Sequence, residues 1–88
     1  MADPSEPFEL PVDGTLDLHT FAPRDVRAVL LDYLEAAHGK GLREIRIIHG
    51  QGIGVQRAIV QATLDRHPLV VEFQDEWHLG ATVARLAP

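Results

Sequence analysis

The sequence predicts one α/β domain, a two-layer sandwich in which two helices cover a four-stranded mixed sheet, with the elements in the order βαβαββ. Segments of strand period and of helix period alternate along the chain, and glycines or prolines separate them. The 88 residues, of which 45% are hydrophobic, leave room for one domain with its own core. This alternation favours parallel pairing of the first two strands, with one antiparallel return.

The first strand and the first helix are the most regular part of the pattern. Residues 15–18 alternate between polar and apolar side chains, which predicts a short strand. Pro23 suits the first turn of a helix, where its missing N–H costs nothing, and Gly39 and Gly41 mark the helix end. Six apolar side chains between them recur at helical spacing and predict the buried face: Val26, Val29, Leu30, Tyr33, Leu34 and Ala37.

The second half of the chain predicts three more strands and a second helix. The strands are expected at Glu44–Ile48, residues 69–74 and Ala81–Leu86, with a loop at residues 75–80. The helix is expected at Val55–Arg66. Its inward face is predicted to carry five apolar or small residues: Val55, Ala58, Ile59, Ala62 and Thr63.

The charge of the chain is unevenly distributed. Residues 1–14 hold four acidic side chains and no Lys or Arg, whereas residues 15–88 hold nine acids and eight bases, so the net charge of −5 divides into −4 and −1. With three prolines among these acids, residues 1–14 are predicted to be a flexible acidic arm, and residues 15–88 the folded domain. A tight non-specific binder of polyanions usually carries a basic excess, which this body lacks.

The composition also predicts the compartment. The absence of cysteine excludes a disulfide framework and a thiolate metal site. No apolar run approaches the roughly 18 residues of a membrane span. The first residues have neither the basic nor the apolar region of a signal peptide. We therefore predict a cytoplasmic protein with no membrane partner.

Two histidines follow the first two strands of the predicted sheet. Because the carboxyl ends of parallel strands meet at one edge, His19 and His49 are expected there together, with Asp17 beside His19. The glycine-rich turn at residues 49–54 leads into the second helix, where backbone amides suit a phosphate. The pattern predicts a cluster of one carboxylate and two imidazoles beside an anion-binding loop. Either histidine could instead be structural and bond to loop carbonyls.

Four short motifs in this order resemble those of the small MutS-related (Smr) domain family. Residues 16–19, Leu-Asp-Leu-His, are similar to its Leu-Asp-x-His motif, and residues 49–52, His-Gly-Gln-Gly, to its usual His-Gly-Lys-Gly. Residues 54–57, Gly-Val-Gln-Arg, are similar to its Gly-x-Leu-Arg, and residues 80–83 match its Gly-Ala-Thr-Val. The resemblance covers residues 15–87 and is to the short stand-alone members.

The resemblance implies both a fold and a function. The fold would be like the C-terminal domain of translation initiation factor three, with the fourth strand between the second and the third. Some members nick or cleave DNA or RNA, and others only bind nucleic acid. Carried over by motif, the catalytic residues are Asp17, His19 and His49, and the phosphate- or nucleic-acid-binding residues are Gly50, Gln51, Gly52, Gly54 and Arg57.

Two departures from the family pattern bear on function. Thr20 stands where the first motif usually has Gly, and Gln51 stands where the second usually has Lys. Loss of that cation removes a phosphate contact and weakens the nuclease interpretation. Residues 38–41, His-Gly-Lys-Gly, spell the second motif letter for letter. They fall at the end of the first helix, where the glycines act as a cap, so His49 is the better candidate.

Three functions stay open at this point. The first is an endonuclease or nickase, with one of His19 and His49 as general base and the other as general acid, and with Asp17 orienting a histidine or holding a metal. No dedicated cofactor is predicted, but a divalent ion, Mg²⁺ or Mn²⁺, is left open because DNA has no internal nucleophile. The second is a binding module for structured or branched nucleic acid. The third is a protein-interaction domain, with a homodimer through an open sheet face as one form.

One aromatic residue lies in the loop before the last strand. Trp77 is either a lid on the core or a base-stacking platform.

Overall fold

The computed structural model describes residues 11–88 and confirms the predicted fold class and element order. A short 3₁₀ helix is added between the last two strands. The elements are β1 (Thr15–Asp17), α1 (Pro23–Gly39), β2 (Glu44–Ile48), α2 (Val55–Arg66), β3 (Val70–Glu76), the 3₁₀ helix (Trp77–Leu79) and β4 (Ala81–Leu86).

The sheet has the strand order β1-β2-β4-β3, so the fourth strand lies between the second and the third, as the resemblance implies. β1 is parallel to β2, and β4 is antiparallel to both of its neighbours. Asp17 pairs with Ile48, Ile48 with Ala81, and Ala81 with Glu76, which makes one row across all four strands. The residues that follow this row on β1, β2 and β3 therefore leave the sheet at the same edge.

The core lies between the sheet and the helices. The predicted face of α1 is confirmed, because all six of its predicted residues are buried. They pack with the inward side chains of the sheet: Leu16, Leu18, Ile45, Ile47, Ala84 and Leu86. The opposite sheet face is polar and carries the ion pairs Arg46–Glu76, 2.7 Å, and Arg85–Glu72, 3.2 Å.

The predicted inward face of α2 is wrong for three of its five residues. Val55, Ala58 and Ala62 are exposed. The buried residues are Val60, Thr63 and Leu64, and Ile59 packs partly against the core. α2 presents the face with Val60 and Leu64 to the core, because burying these side chains removes more apolar surface from water than burying Ala58 and Ala62 would.

The end of the third strand differs from its prediction. β3 continues through Asp75 and Glu76, which the sequence assigned to the following loop. These two carboxylates alternate across the sheet, and each meets an arginine: Asp75 meets Arg57 on the helix side, and Glu76 meets Arg46 on the open side. β3 can include these two acidic residues because an arginine forms an ion pair with each of their carboxylates.

The predicted acidic arm falls mostly outside the described residues, which begin at residue 11. Of its last residues, Val12 packs against the core, and the Gly14 N–H donates to the Tyr33 hydroxyl over 3.0 Å. Within residues 11–88, neither helix has the length and apolar character needed to cross a bilayer.

Candidate functional site

Asp17 and His19 form a hydrogen-bonded pair at the carboxyl end of β1. His19 Nδ1 lies 2.5 Å from Asp17 Oδ1, and the His19 backbone N–H donates to the same oxygen over 3.0 Å. A carboxylate only accepts hydrogen bonds, so Nδ1 carries the proton and the neutral ring has its lone pair on Nε2. The two side chains are 49% and 53% exposed, so a ligand can reach both.

The carboxyl of Asp17 is held in its charged form. Partial burial, the largest single contribution, raises its pKa, but the hydrogen bonds from the His19 ring and backbone and the charge of the ring act in the opposite direction. The pKa of Asp17 consequently lies below its ordinary value of 3.8. At neutral pH Asp17 is therefore a carboxylate, and its hydrogen bond orients the His19 ring.

His49 lies inside the protein at the end of β2, with only 4% of its surface exposed. Its Nδ1 is 3.1 Å from the Gly50 carbonyl oxygen, and its Nε2 is 2.9 Å from Thr82 Oγ1. The carbonyl only accepts, so Nδ1 donates to it and Nε2 accepts from the Thr82 hydroxyl. Gln61 Nε2 in turn donates to Thr82 Oγ1 over 3.2 Å. Both nitrogens of the His49 ring are thus used within the protein.

Two glycine-containing turns and the segment after β1 approach each other closely at this edge of the sheet. The backbone N–H groups of His49 and Gly50 both donate to the Gly80 carbonyl over 2.9 Å. Gly50 has a φ of 87°, and a Cβ on it would lie 3.5 Å from His19 Cβ. Gly80 has a φ of 66°, and its Cβ would lie 3.1 Å from the carbonyl carbon of Gly50. The structure thus brings the His19 segment and the glycine loop at residues 49–54 together, as the sequence predicts, and adds the turn before β4.

Two side chains predicted to contact phosphate are hydrogen-bonded to other residues of the protein. Gln51 Nε2 donates to the His78 carbonyl, which ties the glycine loop to the 3₁₀ helix. Arg57 makes a two-pronged contact with Asp75, in which Nε lies 3.3 Å from Oδ1. The hydrogen bond from Arg57 is the main reason that the pKa of Asp75 lies below its ordinary value, and the pKa of Arg57 is raised.

The remaining glycines of the loop differ from each other. Gly54 begins α2 in the left-handed region, with a φ of 87°. Gly52, in contrast, has no positive φ.

Sequence reasoning missed Gln56, which joins α2 to the segment after β1. Its Nε2 donates to the Phe21 carbonyl over 2.7 Å and lies 3.3 Å from that of His19 and 3.4 Å from that of Leu18. The departure from the resembled motif was the available signal, because Gln56 stands where that motif has leucine. Thr82 and Gln61 complete the contacts of His49. Neither departs from a motif in a way that would have marked it as part of the site.

A metal ion would need ligands from outside the protein. Within residues 11–88, no three His, Asp or Glu side chains are grouped so that they could hold one. Asp17 is the exposed carboxylate at this edge, and Mg²⁺ commonly combines one or two carboxylates with phosphate oxygens of a substrate. The donor set therefore fits an ion that arrives with a phosphodiester and does not fit a permanent cage.

A groove of about 360 Å³ lies beside the glycine loop. Residues 50–54, Arg57 and Trp77 line it. A larger groove of about 540 Å³ runs between the helices, but it shares no residue with this edge and contains none of the predicted site residues. All five predicted phosphate-contacting residues line the smaller groove, whereas Asp17, His19 and His49 do not. We therefore take this groove as the phosphate-binding side of the site.

The sequence matches known proteins over nearly its whole folded length. A family model described as the Smr domain matches residues 16–86. The chain is 38% identical over 82 residues to the endonuclease MutS2 of Caldicellulosiruptor saccharolyticus, and 41% identical over 79 residues to that of Clostridium novyi. These alignments cover 89% and 85% of this chain but only 10% of each relative.

Two solved structures share the fold. The Smr domain of Thermus thermophilus MutS2 superposes with a TM-score of 0.79 at 31% identity, covering 84% of this chain and 98% of that one. YdaL, a stand-alone small MutS-related protein from Escherichia coli, superposes with a TM-score of 0.78 at 24% identity, covering 89% of this chain and 67% of that one. At that lower identity the second likeness concerns the fold alone.

Proposed function

Because the chain belongs to the Smr domain family, a nuclease-related family that processes nucleic acid, we propose that it is an endonuclease or nickase with His19 as its general base. The observation that carries the proposal is the 2.5 Å contact between Asp17 Oδ1 and His19 Nδ1 at an exposed sheet edge. It leaves the Nε2 lone pair of His19 as the basic group that faces a ligand, and no residue in the range 11–88 hydrogen-bonds to that atom.

The proposed reaction is cleavage of a phosphodiester. His19 Nε2 takes a proton from the nucleophile, which is water on DNA and either water or the 2′-hydroxyl on RNA. The nucleophile forms a bond to phosphorus, the bond to the leaving oxygen breaks, and solvent protonates that oxygen. Asp17 keeps the proton on Nδ1 and stabilises the imidazolium that forms, as the carboxylate of a catalytic triad does. A bound divalent ion would supply charge stabilisation and a more acidic water, with Asp17 as its protein ligand.

We assign His49 a positioning role within this proposal. Its ring is buried and holds the Gly50 carbonyl, while its backbone N–H and that of Gly50 hold Gly80. These contacts fix the course of the glycine loop beside His19. The rest of the loop, from Gln51 to Gly54 at the start of α2, is then the part that receives a substrate phosphate.

Cleavage of end-labelled RNA and DNA, single-stranded and branched, tests the proposal. His19→Ala is expected to slow cleavage by about 10²–10⁴-fold, the usual contribution of a general base. His38→Ala is the matched control, because His38 lies in the His-Gly-Lys-Gly segment at the far end of α1. It should cleave at the wild-type rate, and an EDTA arm separates unaided histidine chemistry from metal-assisted cleavage. Wild-type rates in both His19→Ala and Asp17→Asn would refute the proposal.

A second candidate function is binding without cleavage. The observation that favours it is at position 51, where the family's usual Lys is replaced by Gln and the side chain is bonded to the His78 carbonyl. The glycine loop therefore lacks the cation that would stabilise charge developing on a phosphate during cleavage, while its backbone can still contact a phosphate. A binding module predicts a mobility shift that weakens as salt rises while the nucleic acid stays intact. Product formation that depends on His19 would exclude it.

A further inference from the structure

An apolar surface of two side chains flanks the candidate site. Trp77, the only tryptophan of the chain, is 66% exposed, and Ile53 is 96% exposed. Both line the groove beside the glycine loop. Of the two alternatives that the sequence leaves open for Trp77, the structure excludes a lid on the core, because the indole lies mostly in solvent. Clustered exposed apolar side chains commonly mark a binding surface.

The position of Trp77 is fixed by the same contacts that fix the glycine loop. The Gly80 N–H donates to the Trp77 carbonyl over 2.9 Å, and Gly80 accepts from the backbone of the loop. Gln51 holds the next carbonyl, that of His78. The His78 ring stands edge-on to the indole, with 6.3 Å between the ring centroids. A ligand that stacks on the indole would therefore meet a surface already in place, which lowers the entropic cost of binding.

The chemistry of the groove suits a nucleobase beside its phosphate. Trp77 and Ile53 give the groove apolar side chains, the glycines of the loop give it backbone, and the Arg57 side chain is 41% exposed in the same groove. No carboxylate is among the lining residues from the described part of the chain. The volume of about 360 Å³ is in the range of small-ligand sites, roughly 300–1,000 Å³.

We propose that Trp77 and Ile53 form a stacking platform for an unpaired nucleobase. The substrate class would then be single-stranded or splayed nucleic acid; this inference rests on the proposed function. A base inside a duplex already has neighbours on both faces, so an indole can stack only on a base that has left the helix. β3, which leads to Trp77, lies three strand spacings from β1, or about 14 Å at ~4.8 Å each. Cleavage at His19 would therefore fall a few nucleotides from the stacked base.

The single tryptophan makes a direct experiment available. Its intrinsic fluorescence is titrated with single-stranded oligo-dT, with oligo-rU and with a blunt duplex of the same length. We expect quenching by the single strands and not by the duplex. By fluorescence anisotropy of labelled strands, Trp77→Ala should bind single strands about 5- to 140-fold more weakly, since one stacked base contributes ~1–3 kcal/mol at ~1.4 kcal/mol per factor of ten.

Two further variants control this measurement. Leu79→Ala removes another exposed side chain of the same 3₁₀ helix, one that does not line the groove, and should bind like wild type. Trp77→Phe should retain most of the affinity, because a smaller aromatic face remains. Equal single-strand affinity of Trp77→Ala and wild type, or quenching by the duplex as strong as by the single strands, would overturn the platform.

The outcomes separate this inference from the proposed endonuclease. If Trp77→Ala binds single strands like wild type while cleavage still depends on His19, the platform is refuted and the endonuclease stands. If single strands quench Trp77 but no substrate is cut, the platform stands and the endonuclease is refuted. If Trp77 fluorescence changes only with protein concentration and sedimentation shows a dimer, the surface contacts a second copy of the chain and the platform is overturned.

Discussion

Substituting Gly80 by alanine should both destabilise the protein and displace the candidate site. The backbone at Gly80 has a φ of 66°, which an L side chain rarely adopts. A Cβ there would also lie 3.1 Å from the carbonyl carbon of Gly50 and 3.2 Å from Gln51 Cγ. The Gly50 Cα would lie 3.2 Å away as well, so all three contacting atoms belong to backbone or to a hydrogen-bonded side chain that cannot simply rotate away. Accommodating the methyl group therefore requires the glycine loop to move.

The size of the effect follows from a comparison with Gly41. Gly41 has a similar φ of 80°, but a Cβ on it would meet no atom within 4 Å. Gly41→Ala should therefore cost only the left-handed conformation, about 1–2 kcal/mol. Gly80→Ala should cost that amount plus overpacking of about 1–3 kcal/mol. At roughly 4–8 °C per kcal/mol for a domain of this size, the Tm of Gly80→Ala should lie at least ~4 °C below that of Gly41→Ala.

Thermal unfolding followed by circular dichroism measures the two Tm values, and the cleavage assay is run well below both. Gly41 lies at the end of the domain opposite His19, so Gly41→Ala should keep wild-type activity. Gly80→Ala should lose activity even while folded, because the Gly80 carbonyl holds the amides of His49 and Gly50. We infer that packing of the Gly80 turn against the glycine loop holds the candidate site in position. Equal Tm values for the two variants would refute this inference, and so would full activity of folded Gly80→Ala.

Three other substitutions test individual contacts. Thr82→Val should lower the free energy of unfolding in urea by about 1–3 kcal/mol, since it leaves the buried Nε2 of His49 without a donor, whereas Thr82→Ser should stay close to wild type. The pKa of Asp17 is below 3.8, so its charge contributes stability that is fully present above that pH and is lost as the pH falls through the lower folded value. The stability deficit of Asp17→Asn should therefore vanish on acidification, and a constant deficit would contradict the charged pair. Gln51→Lys should make the slope of log affinity against log salt steeper by about 0.7–0.9, and an unchanged slope would show that position 51 does not reach a phosphate.

The parts of the fold that the sequence predicted well are those whose pattern is repeated locally. α1 carries its apolar side chains over four turns and one face, so its bounds and all six buried residues follow from periodicity. α2 is shorter, and its apolar and small residues run around more of the helix, so two faces fitted the pattern equally. The packing of α2 against α1 and the sheet decided between them. For the same reason the sequence placed Asp75 in a loop, since the arginine that accompanies it lies 18 residues earlier.

The contacts of the candidate site are likewise of two kinds: some join residues close in sequence, and others join residues far apart. Asp17 and His19 are two residues apart, and a bond between them needs only a strand end and a turn, so their pairing was within reach of the sequence. The environment of His49 depends on Thr82, 33 residues away, and on Gln61, which bonds to Thr82 across 21 residues. Motif resemblance placed His49 at the correct edge but could not show that its ring points into the protein. A motif can predict that two histidines lie near each other. Which of their ring nitrogens stay free to bind a ligand depends on hydrogen-bond partners that lie far away in the sequence. Here that leaves one nitrogen, Nε2 of His19, without a hydrogen-bond partner among residues 11–88.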